Sequence, residues 1–297
     1  MTERSFKYFT CDVFTEQRYG GNPLAVLTDA RGLSDEQMQL VAREFNFSET
    51  TFVLPPSDPR NTARVRIFTP TRELLFAGHP TVGTAFVLAT IGIVARETRD
   101  IVFEEGVGPV PVRIDRDGAR ITRCTLTAAQ LPQQGPPAPT RAGLAAALSL
   151  EDTDVLDGAE CWSCGNPFLV IPVKGIDALA RCVPEPTTAA KVLAGYATQS
   201  MYPVAQEAAE TWRVRCFVRH RTIIEDPATG SAASGFAGWL AARAPRGDGA
   251  LRYRLNQGIE MGRTSELGLE IDRAGGRVSA VRVSGASVMV SEGTIVV

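Results

Sequence analysis

Apolar and polar positions along the chain predict many strands and few helices. Alternation over residues 6–14 predicts a strand, and short apolar runs at 24–27 and 51–54 predict two more. Ser34, followed three residues later by Gln37, is a capping-box sequence that predicts the start of an amphipathic helix. The same pattern predicts later strands at 101–103, 110–114, 267–271 and 277–297, the last with a turn at Ser284-Gly285.

Two segments without charged residues, 81–91 and 228–242, predict helices that are buried on every side. His79-Pro80 stands before the first and Asp226-Pro227 before the second. A polar residue followed by proline is typical of a helix start, so His79 and Asp226 are predicted to be N-caps. If the two starts face one shared cleft, their positive ends form a site for an anion.

The chain reads as an internal duplication. Besides the two Pro-containing starts, Gly21-Asn22-Pro23 recurs as Gly165-Asn166-Pro167, and Val65-Arg66-Ile67-Phe68 recurs as Val214-Arg215-Cys216-Phe217, at offsets of 144 to 149 residues. Residues 131–139 hold four prolines and mark the boundary. We therefore predict two domains, 1–130 and 131–297, with the last strand able to return to the first. Each is an α+β unit with a curved, mainly antiparallel sheet around its own buried helix.

Composition excludes several classes of partner. The 297 residues carry a net charge of −2 spread along the chain, so no basic surface for nucleic acid is predicted. No apolar run approaches the length of about 20 residues that a membrane-spanning helix needs. The first residues lack an apolar signal core, which favours a cytoplasmic protein. No phosphate-binding loop, dinucleotide fingerprint or metal-ligand set is present, and we expect neither a cofactor nor a metal.

The six cysteines do not form a disulfide framework in a chain of this length. Cys161 and Cys164 have the spacing of a redox motif, but a strand rather than a helix is predicted after them and no second pair is available for zinc. A structural role is therefore favoured.

Glu49 is the first candidate for catalysis. It lies where the predicted helix meets an apolar strand, in a polar Ser-Glu-Thr-Thr segment between Phe47 and Phe52. A solvated loop residue is the simpler interpretation of its position. Partial burial would instead raise its pKa toward that of a useful general base.

Several motifs together resemble the PhzF family, the isomerases of phenazine biosynthesis and their relatives, in family order over nearly the whole chain. They are Ser48-Glu49-Thr50-Thr51-Phe52-Val53, Arg66-Ile67-Phe68-Thr69-Pro70 with Glu73-Leu74, Phe76-Ala77-Gly78-His79-Pro80-Thr81, Glu225-Asp226-Pro227-Ala228-Thr229-Gly230-Ser231-Ala232 and Gln257-Gly258-Ile259-Glu260-Met261-Gly262-Arg263. The resemblance implies a diaminopimelate-epimerase-like fold of two pseudo-symmetric domains, with the active site in the cleft between them. It also implies a homodimer and cofactor-free proton transfer.

By the same resemblance, the residue matching Glu49 moves a proton between ring carbons of trans-2,3-dihydro-3-hydroxyanthranilate. The resemblance also implies that His79, Asp226 and Ser231 position and polarise the substrate, with Gly78 and Gly230 among the binding residues. Family members often have proline after the second Arg-x-Phe strand, whereas Val218-Arg219-His220 follows here, which leaves the substrate open. Related racemases use a pair of thiols, and neither duplicated motif contains cysteine.

The hypothesis is therefore a cofactor-independent isomerase or epimerase that acts on a small carboxylic acid, with Glu49, His79 and Asp226 as its catalytic residues. A non-catalytic metabolite- or protein-binding module of the same fold is the alternative, but binding alone would not require a base. A hydrolase with Ser231 as nucleophile is a third interpretation, and the chain lacks the Gly-x-Ser-x-Gly sequence that would support it.

Overall fold

The computed structural model describes residues 4–219, 223–245 and 247–297. Its chain divides into two compact units, one holding residues up to Ala129 together with Ser284–Val297, the other Gln130–Val283. His220, part of the departure from the family pattern, lies outside the described residues.

The first unit is a sheet with one amphipathic and one fully buried helix. Its strands are β1 Ser5–Val13, β2 Asn22–Leu27, β3 Glu49–Leu54, β4 Ala63–Phe68, β5 Glu73–Leu74, β6 Asp100–Glu105, β7 Gly108–Asp117, β8 Arg120–Thr127 and β19 Ser287–Val296, and its helices are α1 Asp35–Phe45 and α2 Gly78–Thr90. The final strand β19 pairs antiparallel with β1.

The second unit has the same kind of sheet with more surface helices. Its strands are β9 Gln133–Pro137, β10 Glu160–Ser163, β11 Pro167–Pro172, β12 Met201–Ala208, β13 Thr211–Val214, β14 Cys216–Arg219, β15 Ile223–Asp226, β16 Gly249–Gln257, β17 Ser265–Ala274 and β18 Arg277–Gly285. Its helices are α3 Arg141–Ala147, α4 Gly175–Arg181, α5 Pro186–Val192 and α6 Gly230–Arg243.

The two units repeat one succession of strand pairings. In the first unit, β2 pairs parallel with β3, β3 antiparallel with β4, β4 parallel with β6, and β6 antiparallel with β7. In the second unit, β11 and β12, β12 and β13, β13 and β16, and β16 and β17 follow the same alternation. The predicted α+β fold of mainly antiparallel sheets is confirmed, with parallel pairs where a helix crosses between strands.

The predicted buried helices are both present. All residues from Gly78 to Leu88 of α2 are buried, and so are all residues from Gly230 to Leu240 of α6. Small residues allow the strands to approach, since a Cβ added at Gly83 would lie 2.6 Å from Leu24 and Val13 side-chain atoms. The predicted direction of the two helix starts toward a shared cleft stays a prediction.

The predicted N-caps are wrong. Helix α2 has Ala77 as its N-cap, so His79 already lies within the first turn. Helix α6 has Thr229 as its N-cap, and Asp226 ends the preceding strand β15. By contrast, the capping box at Ser34 and Gln37 is confirmed at the start of α1, because its signals are local. In the described residues, no helix is long and apolar enough to cross a membrane.

Candidate functional site

Helix α1 and strand β3 together place Glu49. The helix ends at Phe45, and its C-cap Asn46 has a left-handed conformation (φ 52°) that turns the chain toward β3, of which Glu49 is the first residue. Thr51 Oγ1 lies 2.9 Å from Thr84 Oγ1 of α2. Side chains two residues apart share one face of a strand, so Glu49 is also directed toward α2.

His79 lies beside Glu49 in the first turn of α2. Its Nδ1 atom is 3.5 Å from Oε2 of Glu49 and 3.2 Å from Nδ2 of Asn22, the first residue of β2. His79 is 3% exposed and the Glu49 side chain 15%, so the carboxylate keeps a narrow access to solvent while the imidazole is enclosed. These residues form what we term the first cluster: Asn22, Glu49 and His79.

The imidazole of His79 is neutral near neutral pH. Burial lowers its pKa to about 3, although the nearby Pro23 carbonyl opposes that shift. Nδ1 is the ring nitrogen that lies within reach of Asn22 Nδ2 and Glu49 Oε2, whereas Nε2 has no hydrogen-bond partner among the described residues. An imidazolium charge is therefore absent beside Glu49 at neutral pH.

Asp226 belongs to a second cluster, formed with Thr229 and Gln257 in the second unit. Thr229 Oγ1 donates to Asp226 Oδ2 at 2.5 Å, and Gln257 Nε2 donates to Thr229 Oγ1 at 3.0 Å. The donors run in one direction and end on Asp226, as a carboxylate acceptor requires. Asp226 is 8% exposed.

Gln257 also fixes the turn between Asp226 and α6. Its Nε2 donates to the Asp226 carbonyl at 2.7 Å, and its Oε1 accepts from the Thr229 amide at 3.2 Å. Gly258 allows this close approach, because a Cβ there would lie 2.6 Å from the Pro227 carbonyl oxygen. These contacts hold residues 226–229 outside the helix, which explains why the predicted N-cap at Asp226 is wrong.

The starts of α2 and α6 differ from those of other helices in the described residues. A side chain caps each of α1, α3 and α5, and α4 has no side-chain cap but carries Asp177 in its first turn. Neither α2 nor α6 has a side-chain cap or an acidic residue in its first turn. Gly78 begins α2, and Gly230 and Ser231 begin α6. Their amide groups are available to an anionic ligand.

Thiol chemistry has no suitable residue among the six cysteines. All six are buried and free, including Cys161 and Cys164. Burial raises the pKa of Cys124, Cys164 and Cys182 to about 12, so these side chains remain thiols rather than reactive thiolates. The structure also shows no group of three or more His, Cys, Asp or Glu side chains within metal-binding reach in 4–219, 223–245 and 247–297.

The structure brings together Glu49 and His79, and it places Asp226, Gly230 and Ser231 in the second unit. Sequence reasoning missed Asn22, Thr229 and Gln257 as members of these clusters. Asn22 carried a signal because Gly-Asn-Pro is duplicated, and Gln257-Gly258 stands in one of the quoted motifs. Neither pattern states which side chain it contacts, because each contact joins residues far apart in sequence.

Known proteins resemble this chain over its full length. It is 38% identical to an uncharacterized isomerase of Mesorhizobium japonicum, covering 97% of this chain and 98% of that protein. It is 36% identical to the trans-2,3-dihydro-3-hydroxyanthranilate isomerase of Pseudomonas aeruginosa, with the same shares covered. The crystal structure of the Bacillus anthracis phenazine biosynthesis protein of the PhzF family matches with a TM-score of 0.87 at 26% identity, covering 99% of this chain and 100% of that one.

A family model supports the same assignment. The PhzC-PhzF model, described as phenazine biosynthesis-like protein, matches residues 11–293, which include both clusters. The relatives named above are isomerases, and the match includes Glu49, His79 and Asp226. The chain therefore belongs to the PhzC-PhzF family of phenazine biosynthesis-like proteins and is an isomerase.

Proposed function

We propose that this isomerase moves a proton between two carbons of a small carboxylic acid, without a metal or organic cofactor, and that Glu49 is the acid and base. The Glu49–His79 pair carries the proposal, because it places a largely buried carboxylate 3.5 Å from a neutral imidazole. The name of the Pseudomonas aeruginosa relative makes trans-2,3-dihydro-3-hydroxyanthranilate the first candidate substrate.

The proposed reaction needs one group that both accepts and returns a proton. The Glu49 carboxylate takes a proton from one carbon, becomes a carboxylic acid, and gives the proton to a second carbon. The composition of the substrate does not change, and no electrons leave it. His79, held through Nδ1 by Asn22, orients the substrate beside this carboxylate.

The uncapped starts of α2 and α6 support binding of the substrate carboxylate. Backbone amides at Gly78, Gly230 and Ser231 lack a side-chain acceptor in these first turns, and amides at a helix start favour an anion. We propose that Asp226, the hydrogen-bond acceptor of the second cluster, holds an amine or hydroxyl of the same substrate.

Deuterium uptake tests the role of Glu49. We expect wild-type protein in heavy water to incorporate deuterium into trans-2,3-dihydro-3-hydroxyanthranilate during turnover, as followed by NMR. Glu49→Gln keeps the side-chain volume but cannot accept the proton, so the rate should fall by about 10²–10⁴-fold while the ligand still binds. Glu44→Gln, on the exposed part of α1, is the matched control and should keep the wild-type rate.

Two outcomes would contradict different parts of the proposal. Turnover of the Gln variant at nearly the wild-type rate would show that Glu49 is not the base. A wild-type protein that neither converts the compound nor exchanges its hydrogens would exclude this substrate. The NMR spectrum of the product also distinguishes a shifted double bond from an inverted centre.

We also propose that the enzyme is a cytoplasmic homodimer. The family resemblance supports the assembly, and six free, buried cysteines support a reducing compartment. Analytical ultracentrifugation should give a mass twice the 31.9 kDa of the chain. A monomer mass across the concentration range of the assay would contradict the dimer.

A further inference from the structure

Glu105 is a buried carboxyl group outside the two clusters. It is the last residue of β6 and is 8% exposed. Its Oε1 atom lies 2.6 Å from Thr81 Oγ1 in α2, while its Oε2 atom is buried without a hydrogen-bond partner among the described residues. A buried carboxylate oxygen without a partner is costly, whereas the carbonyl oxygen of a neutral acid costs less.

The hydrogen bonds of Thr81 determine whether Thr81 or Glu105 donates the proton in the bond between them. Thr81 Oγ1 also lies 2.8 Å from the carbonyl oxygen of Ala77, the N-cap of α2. A carbonyl can only accept, and a hydroxyl has one proton. The Thr81 proton must therefore go to Ala77, since otherwise two acceptors would face each other at 2.8 Å. The proton between Thr81 and Glu105 then has to come from Glu105.

The electrostatic surroundings agree with a neutral acid. Burial raises the pKa of Glu105 to about 8, and the Thr81 hydroxyl only partly opposes this shift. The adjacent Glu104 behaves oppositely, because hydrogen bonds from the Asn61 side chain and from the Asp58 and Ser57 amides lower its pKa to about 2.

Charged neighbours do not account for the difference between the pKa values of Glu105 and Glu104. His79, on α2 with Thr81, is neutral, and Glu73 of β5 is bound to Arg66 of β4. The pKa of Glu105 is set by burial, which raises it, and by the hydrogen bond with Thr81, which lowers it. The remaining ionisable groups on β4, β6 and the facing strand β7 are Arg64, Asp100, Arg113, Asp115, Arg116 and Asp117.

We propose that Glu105 is a positioning residue that acts as a neutral carboxylic acid. It donates its proton to Thr81 Oγ1, which keeps the Thr81 hydroxyl on the Ala77 carbonyl and so fixes the first turn of α2, which carries His79. Ionised Glu105 would draw the Thr81 proton away from Ala77. Ionised Glu105 would also place a negative charge close to the start of α2. In the proposed function, on which this inference builds, that helix start binds the substrate carboxylate.

NMR of the imidazole of His79 tests the proposal without a substrate. The chain has two histidines, so the ring signals can be assigned with His79→Gln. His79 itself does not titrate between about pH 6 and about pH 9, because its pKa is about 3. We expect its signals to shift over that range with a midpoint about where Glu105 ionises, and Glu105→Gln, which is always neutral, should abolish the shift.

Two matched variants complete the test. Glu104→Gln removes the neighbouring carboxylate, which bonds to residues 57–61, and should leave the shift intact. Thr81→Val keeps the shape of residue 81 but removes its hydroxyl, and should reduce the shift at least twofold. A wild-type signal that stays constant over the range, or a shift that persists in Glu105→Gln, would overturn the proposal. Because Glu49 Oε2 lies 3.5 Å from His79 Nδ1, the variants are compared in the Glu49→Gln background, so both results are independent of whether Glu49 is the base.

Discussion

Two titratable residues at duplicated positions, His79 and Asp226, have different neighbours. His79 is buried next to Asn22, and its imidazole is neutral near neutral pH. Asp226 accepts a hydrogen bond from the Thr229 hydroxyl. At the residue scale, the two duplicated positions therefore carry different chemistry, an imidazole in one unit and a carboxyl group in the other.

Substitution of either residue should affect binding and rate together. His79→Ala removes the group beside Glu49, and Asp226→Asn replaces an oxygen that accepts from Thr229 with an amide nitrogen that donates. We expect kcat/KM to fall by about 10-fold to about 10²-fold, with KM raised and kcat lowered in each variant. Steady-state kinetics with trans-2,3-dihydro-3-hydroxyanthranilate measures both constants. Thr229→Val should shift them in the same direction as Asp226→Asn, and an unchanged KM in all three variants would contradict an orienting role.

The helix starts show which features of the structure could be predicted from nearby residues in the sequence. The capping box of α1 lies within four residues, and its position was predicted from the sequence. The burial of α2 and α6 was also predictable, because neither segment has a charged residue before Arg243. The exact start of α6 was not, because Gln257 and Ser265 bind the 226–229 turn from strands later in the chain.

The same limit applies to the candidate site. Glu49, His79 and Asp226 could be selected from motifs, but no local pattern indicates that Asn22 contacts His79. Glu105 was missed for a different reason, since a glutamate at a strand end is normally solvated and its sequence neighbours give no sign of burial. Only the packing of β6 against α2 makes that carboxyl group exceptional.

At the scale of the whole molecule, the duplication also preserves an arginine clamp in each unit. Arg66 binds both oxygens of Glu73 at 2.7 Å, and Arg215 binds both oxygens of Glu225 at 2.8 Å. Each guanidinium also lies about 5 Å from the ring two residues later in sequence, Phe68 or Phe217. The clamps brace the strand pairs that lead into α2 and α6, and Glu225 directly precedes Asp226.

Stability of the whole chain should depend on pH through His79 and Glu105 in opposite directions. Folding lowers the pKa of His79 from 6.5 to about 3, so its contribution is lost as pH falls through that interval. Folding raises the pKa of Glu105 from 4.5 to about 8, so the folded state holds a proton that the unfolded state has released, and stability falls as pH rises through that interval.

The interval between pH 6.5 and about pH 8 isolates Glu105, because the shift of His79 acts only below it. A single such group changes stability by about 1.4 kcal/mol per pH unit, so we expect the free energy of unfolding to fall by about 2 kcal/mol across this interval. Urea denaturation at several pH values measures it. Glu105→Gln should flatten the curve and Glu104→Gln should preserve its slope. Equal slopes in wild type and Glu105→Gln would show that this carboxyl group does not bind its proton in the folded state.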